Sequence, residues 1–434
     1  MILIYVHKLT PRIKYIFKTI FTDVLQVNIS FTSDCKEFEN HEGVKINYSD
    51  SKLSSGIFFQ ATTLLFETKI QKQDIIISEY ENKPCFYSVD NESILPFDPF
   101  AASFYLISRY EEYLPHKKDE HRRFLANESL AFQHDFLEEP LVNLWTTKIT
   151  RLITLNYPEF DIPPREYQYI STLDIDNAYA YQHKGIIRTL GALGKSFIKG
   201  SDFSSRLKVI FGNEKDPYDT FKYQKEVHKK YNITPIYFFL LGDYGVNDKN
   251  ISVKNKTFQR LIQSISENNK IGIHPSYASN KNPEKIATEK NRLQKVSKQE
   301  IMSSRQHYLK LNLPNTYQNL ITNGIIEDYT MGYAEQPGFR ASICSAFYFY
   351  DLEKERETEL KIFPFTVMEA TFQYYKKSAP EKALKDIIAL MQKVKDVDGT
   401  FISVWHNESL SDEGIWKGWK IIYEKMLKES INKI

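Results

Sequence analysis

Hydrophobic and polar positions change rhythm part-way along the chain. Up to about residue 160, short β-rich runs at Ile2 to Val6, Val24 to Phe31 and Ile75 to Ile77 are mixed with helical patterns. From Asp98 to Leu114 an Asp stands at a capping position, Pro99 falls in the first turn, and Phe100, Phe104, Ile107 and Tyr110 recur at helical spacing. This segment predicts a helix that buries one aromatic face. A second helical run covers Pro140 to Leu155, and Asp161-Ile-Pro-Pro-Arg165 follows it. Paired prolines stop a helix and read as a linker, so a boundary is expected there, between residues 1–165 and 166–434.

From Tyr167 onward, predicted strands alternate with predicted helices. The strands are Tyr169 to Leu173, Pro235 to Leu240, Lys270 to Ile273, Met302 to Tyr308, Ile325 to Asp328, Ile362 to Phe365 and Thr400 to Val404. Helical stretches between them include Asp219 to Lys230, Thr257 to Asn268, Pro283 to Lys295 and Ala379 to Val394. Alternation of this kind argues for βα units and a parallel sheet. The expected fold is α/β: an irregular (β/α) barrel of about seven strands, preceded by a smaller α+β N-terminal domain. No glycine-rich loop follows any strand, so a nucleotide site has no support.

Composition narrows the choice of partner. With 57 basic against 55 acidic side chains, the chain lacks the positive field that unspecific nucleic-acid binding needs. Cys35, Cys85 and Cys344 are odd in number and widely spaced, which argues against a disulfide framework. The N-terminus is broken by His7, Lys8 and Pro11 and lacks an apolar signal-peptide core. No uncharged stretch of about 18 residues occurs, so no transmembrane helix is expected and the protein reads as soluble and cytoplasmic. His7, His41, His116, His121 and His134 fall in polar or irregular stretches and read as solvated surface.

Candidate chemistry gathers where predicted strands end, which is where barrel enzymes assemble their sites. In Ser171-Thr-Leu-Asp-Ile-Asp-Asn-Ala-Tyr179 an apolar strand finishes in Asp174 and Asp176. Two positions apart on extended chain, they point to one side, and close carboxylates need a cation or proton between them. A turn or helix cap accounts for the pair equally well. His274 directly follows an apolar strand and precedes Pro275. Imidazole there is a metal-ligand candidate, although a lone histidine is more often structural. Arg305 and His307 share one face of their predicted strand, and His406 ends the last one.

These motifs, in the order Thr-Leu-Asp-Ile-Asp, Gly-Ile-His-Pro-Ser-Tyr, Ser-Arg-Gln-His-Tyr and Ser-Val-Trp-His-Asn, resemble the polysaccharide deacetylase family, carbohydrate esterase family four. The resemblance is narrower to a bacterial branch with an extra N-terminal domain of unknown function, in which stretches like Phe100 to Leu114 recur. It implies a hydrolase that removes acetyl groups from N-acetylated sugars of a poly- or oligosaccharide, using a divalent metal, usually zinc, inside an irregular (β/α) barrel. It implies Asp174 as general base, Asp176 and His274 as metal ligands, Arg305 as the residue that orients the base, and His406 as general acid. Arg340 is a further candidate for keeping Asp174 ionised, and Tyr179, Ser276 and Tyr277 are candidates for substrate binding.

The chain departs from the family pattern twice. Ile175 separates carboxylates that are usually adjacent, and the second histidine expected four residues after His274 is replaced by Ala278. Zinc held by one Asp and one His falls short of its usual three or four protein ligands. His307 is the expected substitute. Asp328 and Glu369 also follow apolar stretches and could equally form structural ion pairs. Two rival readings are a glycoside hydrolase, which leaves the strand-end histidines without a role, and a catalytically inactive carbohydrate-binding protein of deacetylase-like fold.

Overall fold

A computed structural model describes residues 1–184 and 203–432. The first part is built on four short strands, β1 Ile2–Tyr5, β2 Ile29–Thr32, β3 Val44–Ser49 and β4 Ile57–Gln60. They pair in the order β2-β1-β3-β4, all parallel. Parallel neighbours need crossovers, and the helices Pro11–Phe17 and Cys35–Asn40 supply two of them. The β-rich pattern from Val24 resolves differently, because a π-helical turn occupies Lys18–Val24 and the strand starts only at Ile29. Ile75 to Ile77 stays irregular; the short hairpin of β5 Ser78–Tyr80 and β6 Lys83–Cys85 follows it.

Asp98 caps its helix as the sequence predicts, accepting from the amides of Phe100 and Ala101. The helix ends early, spanning Pro99–Ile107. Arg109 takes a left-handed conformation (φ 54°), which breaks the α-helical run and leads into a separate 3-10 turn, Tyr110–Tyr113. That bend lets the Arg109 side chain reach Glu111 and Glu112. The second predicted helix forms over Leu141–Asn156.

The remaining strands form one sheet. They are β7 Gln168–Ile175, β8 Ile236–Phe239, β9 Lys270–Ile273, β10 Ser303–Ser304, β11 Glu327–Asp328, β12 Phe347–Asp351, β13 Arg356–Ile362, β14 Val367–Met368 and β15 Thr400–His406. Their order is β12-β13-β11-β10-β9-β8-β7-β15-β14, with every pair parallel except β12 with β13. The two ends of that order are one piece of chain. The Phe363 and Phe365 amides bond to the carbonyls of Asp328 and Met331, and the next amide, Thr366, bonds to Ile402. The bent run from β13 into β14 thus closes the sheet into a barrel of seven parallel passes among the described residues.

Register sets the layer that matters for function. His406 on β15 stands opposite Asp174 on β7, Asp174 opposite Phe238 on β8, and Phe238 opposite Gly272 on β9. A Cβ at Gly272 would come within 2.6 Å of the Phe238 ring and of the Ser303 carbonyl. Glycine there makes room for the ring.

The two sheets share one continuous apolar cluster. Polar ties also join them: Arg12 pairs with Glu355 at 2.5 Å, the Tyr15 hydroxyl donates to the Tyr348 carbonyl at 2.7 Å, and the Cys344 amide donates to Asn143 at 2.9 Å. No helix among the described residues is long and apolar enough to cross a membrane.

Candidate metal centre

β7 carries Asp174 inward at its end, where the side chain is 2% exposed. Asp176 lies just beyond the strand and is 28% exposed toward a cavity of about 320 Å³ at the barrel mouth. His274 follows β9. Its Nδ1 faces the Arg305 carbonyl at 2.5 Å, an atom that can only accept. Nδ1 therefore carries the proton, and Nε2 turns its lone pair toward Asp176 Oδ1, 3.2 Å away.

His307 is not on a strand. β10 stops after Ser304, and His307 opens a 3-10 turn in which Tyr308 and Leu309 adopt left-handed backbone. Its imidazole nevertheless reaches the same point. Nδ1 lies 3.0 Å from Asp248 Oδ1, again an acceptor, which leaves Nε2 facing Asp176 Oδ2 at 3.4 Å. Tetrahedral ligands ~2.0–2.1 Å from a zinc ion stand roughly 3.3 Å apart, and each imidazole Nε2 is near that distance from a different Asp176 oxygen, Oδ1 for His274 and Oδ2 for His307. Asp176, His274 and His307 form a group among the described residues that could hold a metal ion, each with a ligand atom within 4.8 Å of the others.

Three acceptor atoms that face one another repel unless positive charge lies between them. Burial works against charge on His307, but the Asp176 and Asp248 carboxylates outweigh it and lift the imidazole to about 9. Burial likewise would raise the Asp176 carboxyl, yet His307 and His274 hold it well below the usual carboxylate range. Asp176 Oδ1 has no hydrogen-bond partner. This donor set therefore fits a divalent cation, which would replace the proton on His307. Asp248 and the Arg305 carbonyl orient the two imidazoles from behind.

Two further pairs flank this point. Arg305, fully buried, donates from Nη1 to Asp174 Oδ1 at 2.9 Å and from Nε to the Tyr329 carbonyl. Its guanidinium lies over the Phe238 ring, 4.7 Å from the centroid. The cavity admitted by Gly272 thus seats the ring on which Arg305 rests. His406 Nδ1 is 2.8 Å from Glu369 Oε1. Burial disfavours the imidazolium, but Glu369 first, then Asp176 and Asp174, push its pKa well above the ordinary value.

Several expected residues lie elsewhere. Arg340 does not reach Asp174: its guanidinium is bidentate to Glu112 and donates to the Gly332 carbonyl. Ser276 is buried, with both amide and hydroxyl bonded to Glu289, so it holds the turn and does not face the cavity. Tyr179 packs on His183 and Phe221, and Tyr277 on Tyr308; neither lines the cavity. Tyr308, Tyr374 and Tyr375 supply its aromatic wall. Ala278 sits in the 3-10 turn Tyr277–Asn280 and donates its amide to Asp248. Asp328 is buried and bonded to Ser304 and Thr330.

Three contributors were not legible in the sequence. Asp248 lies in a loop 59 positions before His307, and an acid in a loop carries no distinguishing signal. Arg123 lines the cavity from the N-terminal part, and His121, expected on the solvated surface, packs against Tyr277 and Tyr308.

Comparison with known proteins adds modest context. The family of unknown function DUF7033 matches residues 2–158. No curated protein sequence matches the chain. Among solved structures, a Mycobacterium smegmatis protein assigned as a polysaccharide deacetylase is similar at 14% identity, with a TM-score of 0.41, over 62% of this chain and 86% of that one. A Pseudomonas aeruginosa PAO1 protein assigned likewise is similar at 9% identity and a TM-score of 0.39, over 61% and 87% of the respective chains. A CE4 family pseudoenzyme from Bacillus anthracis is similar at 11% identity and a TM-score of 0.31, over 62% and 64%. With all three TM-scores below 0.5, the architecture rests on the strand order and closure described above.

Proposed function

We propose that the chain is a divalent-metal-dependent hydrolase, with zinc as the cation, that removes acetyl groups from N-acetylated sugars of a poly- or oligosaccharide. The observation that carries this reading is the convergence of Asp176 and the Nε2 atoms of His274 and His307, flanked by a carboxylate held by Arg305 and an imidazole held by Glu369. Asp176, His274 and His307 would hold the cation. When bound, such an ion lowers the pKa of its water toward about 7 and polarises a carbonyl.

The chain's own groups then divide the proton transfers. Asp174, oriented by the hydrogen bond it accepts from Arg305, takes the proton of the attacking water. His406, kept protonated by Glu369, donates to the sugar nitrogen, because an amine anion leaves poorly. Tyr308, Tyr374 and Tyr375 offer faces for the sugar ring. We divide the chain into 1–165 and 166–434, the first part supplying Arg123 to the mouth of the second.

The test is acetate release from N-acetylglucosamine oligomers by zinc-loaded and chelator-treated protein, with metal content measured alongside. Stoichiometric zinc and chelator-sensitive acetate release are expected. His307→Gln should lose metal affinity while His406→Gln retains it. The opposite result exchanges those two assignments. A zinc-loaded protein that binds the oligomers and releases no acetate is a carbohydrate-binding protein instead.

A further inference from the structure

The chain after the 3-10 turn Tyr110–Tyr113 crosses to the barrel mouth, folded back on itself by a bridge between Lys118 and Phe124. Within it Arg123 is tied down, donating to Asp119, to the Tyr308 carbonyl and to the Tyr375 hydroxyl. Its neighbours are not. Lys118 Nζ has only the Asn312 amide oxygen, at 3.3 Å, and the side chain of exposed Arg122 makes no hydrogen bond or ion pair among the described residues.

Beneath them lies a second cavity, of about 260 Å³, lined in part by Lys118, Arg122, Asn280, Gln306, Asn312 and Asn319. It adjoins the metal-centre cavity through Gln306, which lines both. Gln306 is 1% exposed; its Oε1 accepts from Asn280, and its Nε2 donor has no partner. A buried donor left unmade is costly, and this one belongs to a residue that lines both cavities.

Lys310 adds a second observation. It is 3% exposed, its Nζ lies 4.0 Å over the Tyr277 ring, and it has no carboxylate partner among the described residues. Burial first, and then the charges of Lys281 and Arg122, push its pKa down against the pull of Asp119. This corner therefore gathers Lys118, Arg122, Arg123, Lys281 and Lys310. Opposing them are Asp119, which Arg123 already engages, and Glu120, which is 87% exposed. In a chain of net charge +2, that is a local excess of positive charge in which only Arg123 has a carboxylate partner among the described residues.

We propose that the Gln306 cavity is a subsite for an anionic substituent, a carboxylate or a phosphate, on the acetylated sugar whose acetyl group lies at the metal centre. The proposal rests on the deacetylase reading for the nature of the sugar. Amide donors beside unpaired cations suit an oxyanion, and charge-assisted hydrogen bonds are about twice as strong as neutral ones. A neutral sugar would leave the Lys118 and Arg122 side chains that line the cavity without an opposite charge.

Calorimetric binding to the full-length, zinc-loaded protein at low salt tests this with three oligomers of equal length: neutral N-acetylglucosamine, one carrying ether-linked carboxylates, and one carrying phosphate monoesters. At least one acidic oligomer should bind about tenfold tighter or more than the neutral one, and whichever does names the substituent. Lys118→Ala/Arg122→Ala should bring that ratio within about twofold, and high salt should shrink it in the parent. Both side chains are exposed, and circular dichroism with zinc content confirms folding; Arg122→Gln serves if the double variant misfolds. Equal binding of all three oligomers by the parent, or a ratio the variant leaves intact, overturns the proposal. Acetate release from the same oligomers keeps the two ideas apart: tight binding of an acidic oligomer without acetate release removes the deacetylase reading and leaves the subsite standing.

Discussion

Two buried charge clusters lie within this molecule, one at the junction of its two sheets and one at the barrel mouth. At the junction, Glu112 accepts from Arg109 at 2.8 Å and from Arg340 at 2.7 and 3.0 Å, while Arg109 also binds Glu111 and the Tyr333 hydroxyl. Burial alone would raise the Glu112 carboxyl, but Arg340 and Arg109 hold it down at about 2. None of the charged atoms in this cluster is left without a partner. At the mouth, Asp176 Oδ1, Arg305 Nη2 and Glu369 Oε2 all lack one. A closed cluster has no room for a ligand and acts on folding; an open one keeps capacity that a ligand can use.

The largest expected effect comes from breaking the closed cluster. Glu112→Ala strands two buried guanidinium groups and should destabilise the fold by about 3–5 kcal/mol, read as a lower urea midpoint. Metal affinity of the protein that remains folded should be unchanged; a selective loss of metal would mean that the two clusters are coupled.

Histidines sharpen the same contrast. His228 is buried against the Tyr423 hydroxyl with no carboxylate beside it, and burial lowers its pKa to about 4. A depressed histidine leaves stability intact above the unfolded value near 6.5. As pH falls from there toward 4 the unfolded state binds the proton first, so about 3 kcal/mol is lost across that window. Denaturant midpoints of the parent and His228→Gln, compared at pH 7 and 4.5, should show the variant losing less. Parallel loss in both would remove His228 as the cause.

At the open cluster, Asp174→Asn should cost about 100-fold or more in kcat, the lower end for removal of a general base, while metal binding is kept. An asparagine variant as active as the parent would take Asp174 out of the chemistry. Smaller still is the effect expected behind the site. Asp248→Asn keeps the shape of the residue but weakens its grip on His307, and should reduce zinc affinity about 10- to 100-fold. Unchanged affinity in a chelator competition would show that His307 is positioned by its turn alone.

The barrel was readable because its cause is local. Alternating runs such as Lys270 to Ile273 and the helix over Pro380–Lys395 announce themselves in a few neighbouring residues. Strand-end chemistry was readable for the same reason: once β7, β9 and β15 are placed, Asp174, Asp176, His274 and His406 must come to one rim. The expectation of a strand through His307 was wrong in form, since a turn with left-handed Tyr308 carries the side chain there instead. Its destination coincided because Arg305 and His307 leave a strand that ends at the mouth either way.

Apolar spacing and strand-end residue types, read along the chain, were enough to set the number of parallel passes and the rim where polar groups gather, because both depend on neighbours within a few positions. Which charges meet was decided only by packing between distant segments. Arg340 turned away from Asp174 because Glu112, 228 positions earlier, offers it two oxygens in a buried junction. Asp248, 59 positions from His307, and Arg123, 185 from the Tyr308 carbonyl, reached the mouth because loops and a strap fold over it. Hydrogen bonds and ion pairs need contact within a few ångströms, and no periodicity in a sequence encodes contacts between segments that only the closed barrel brings together.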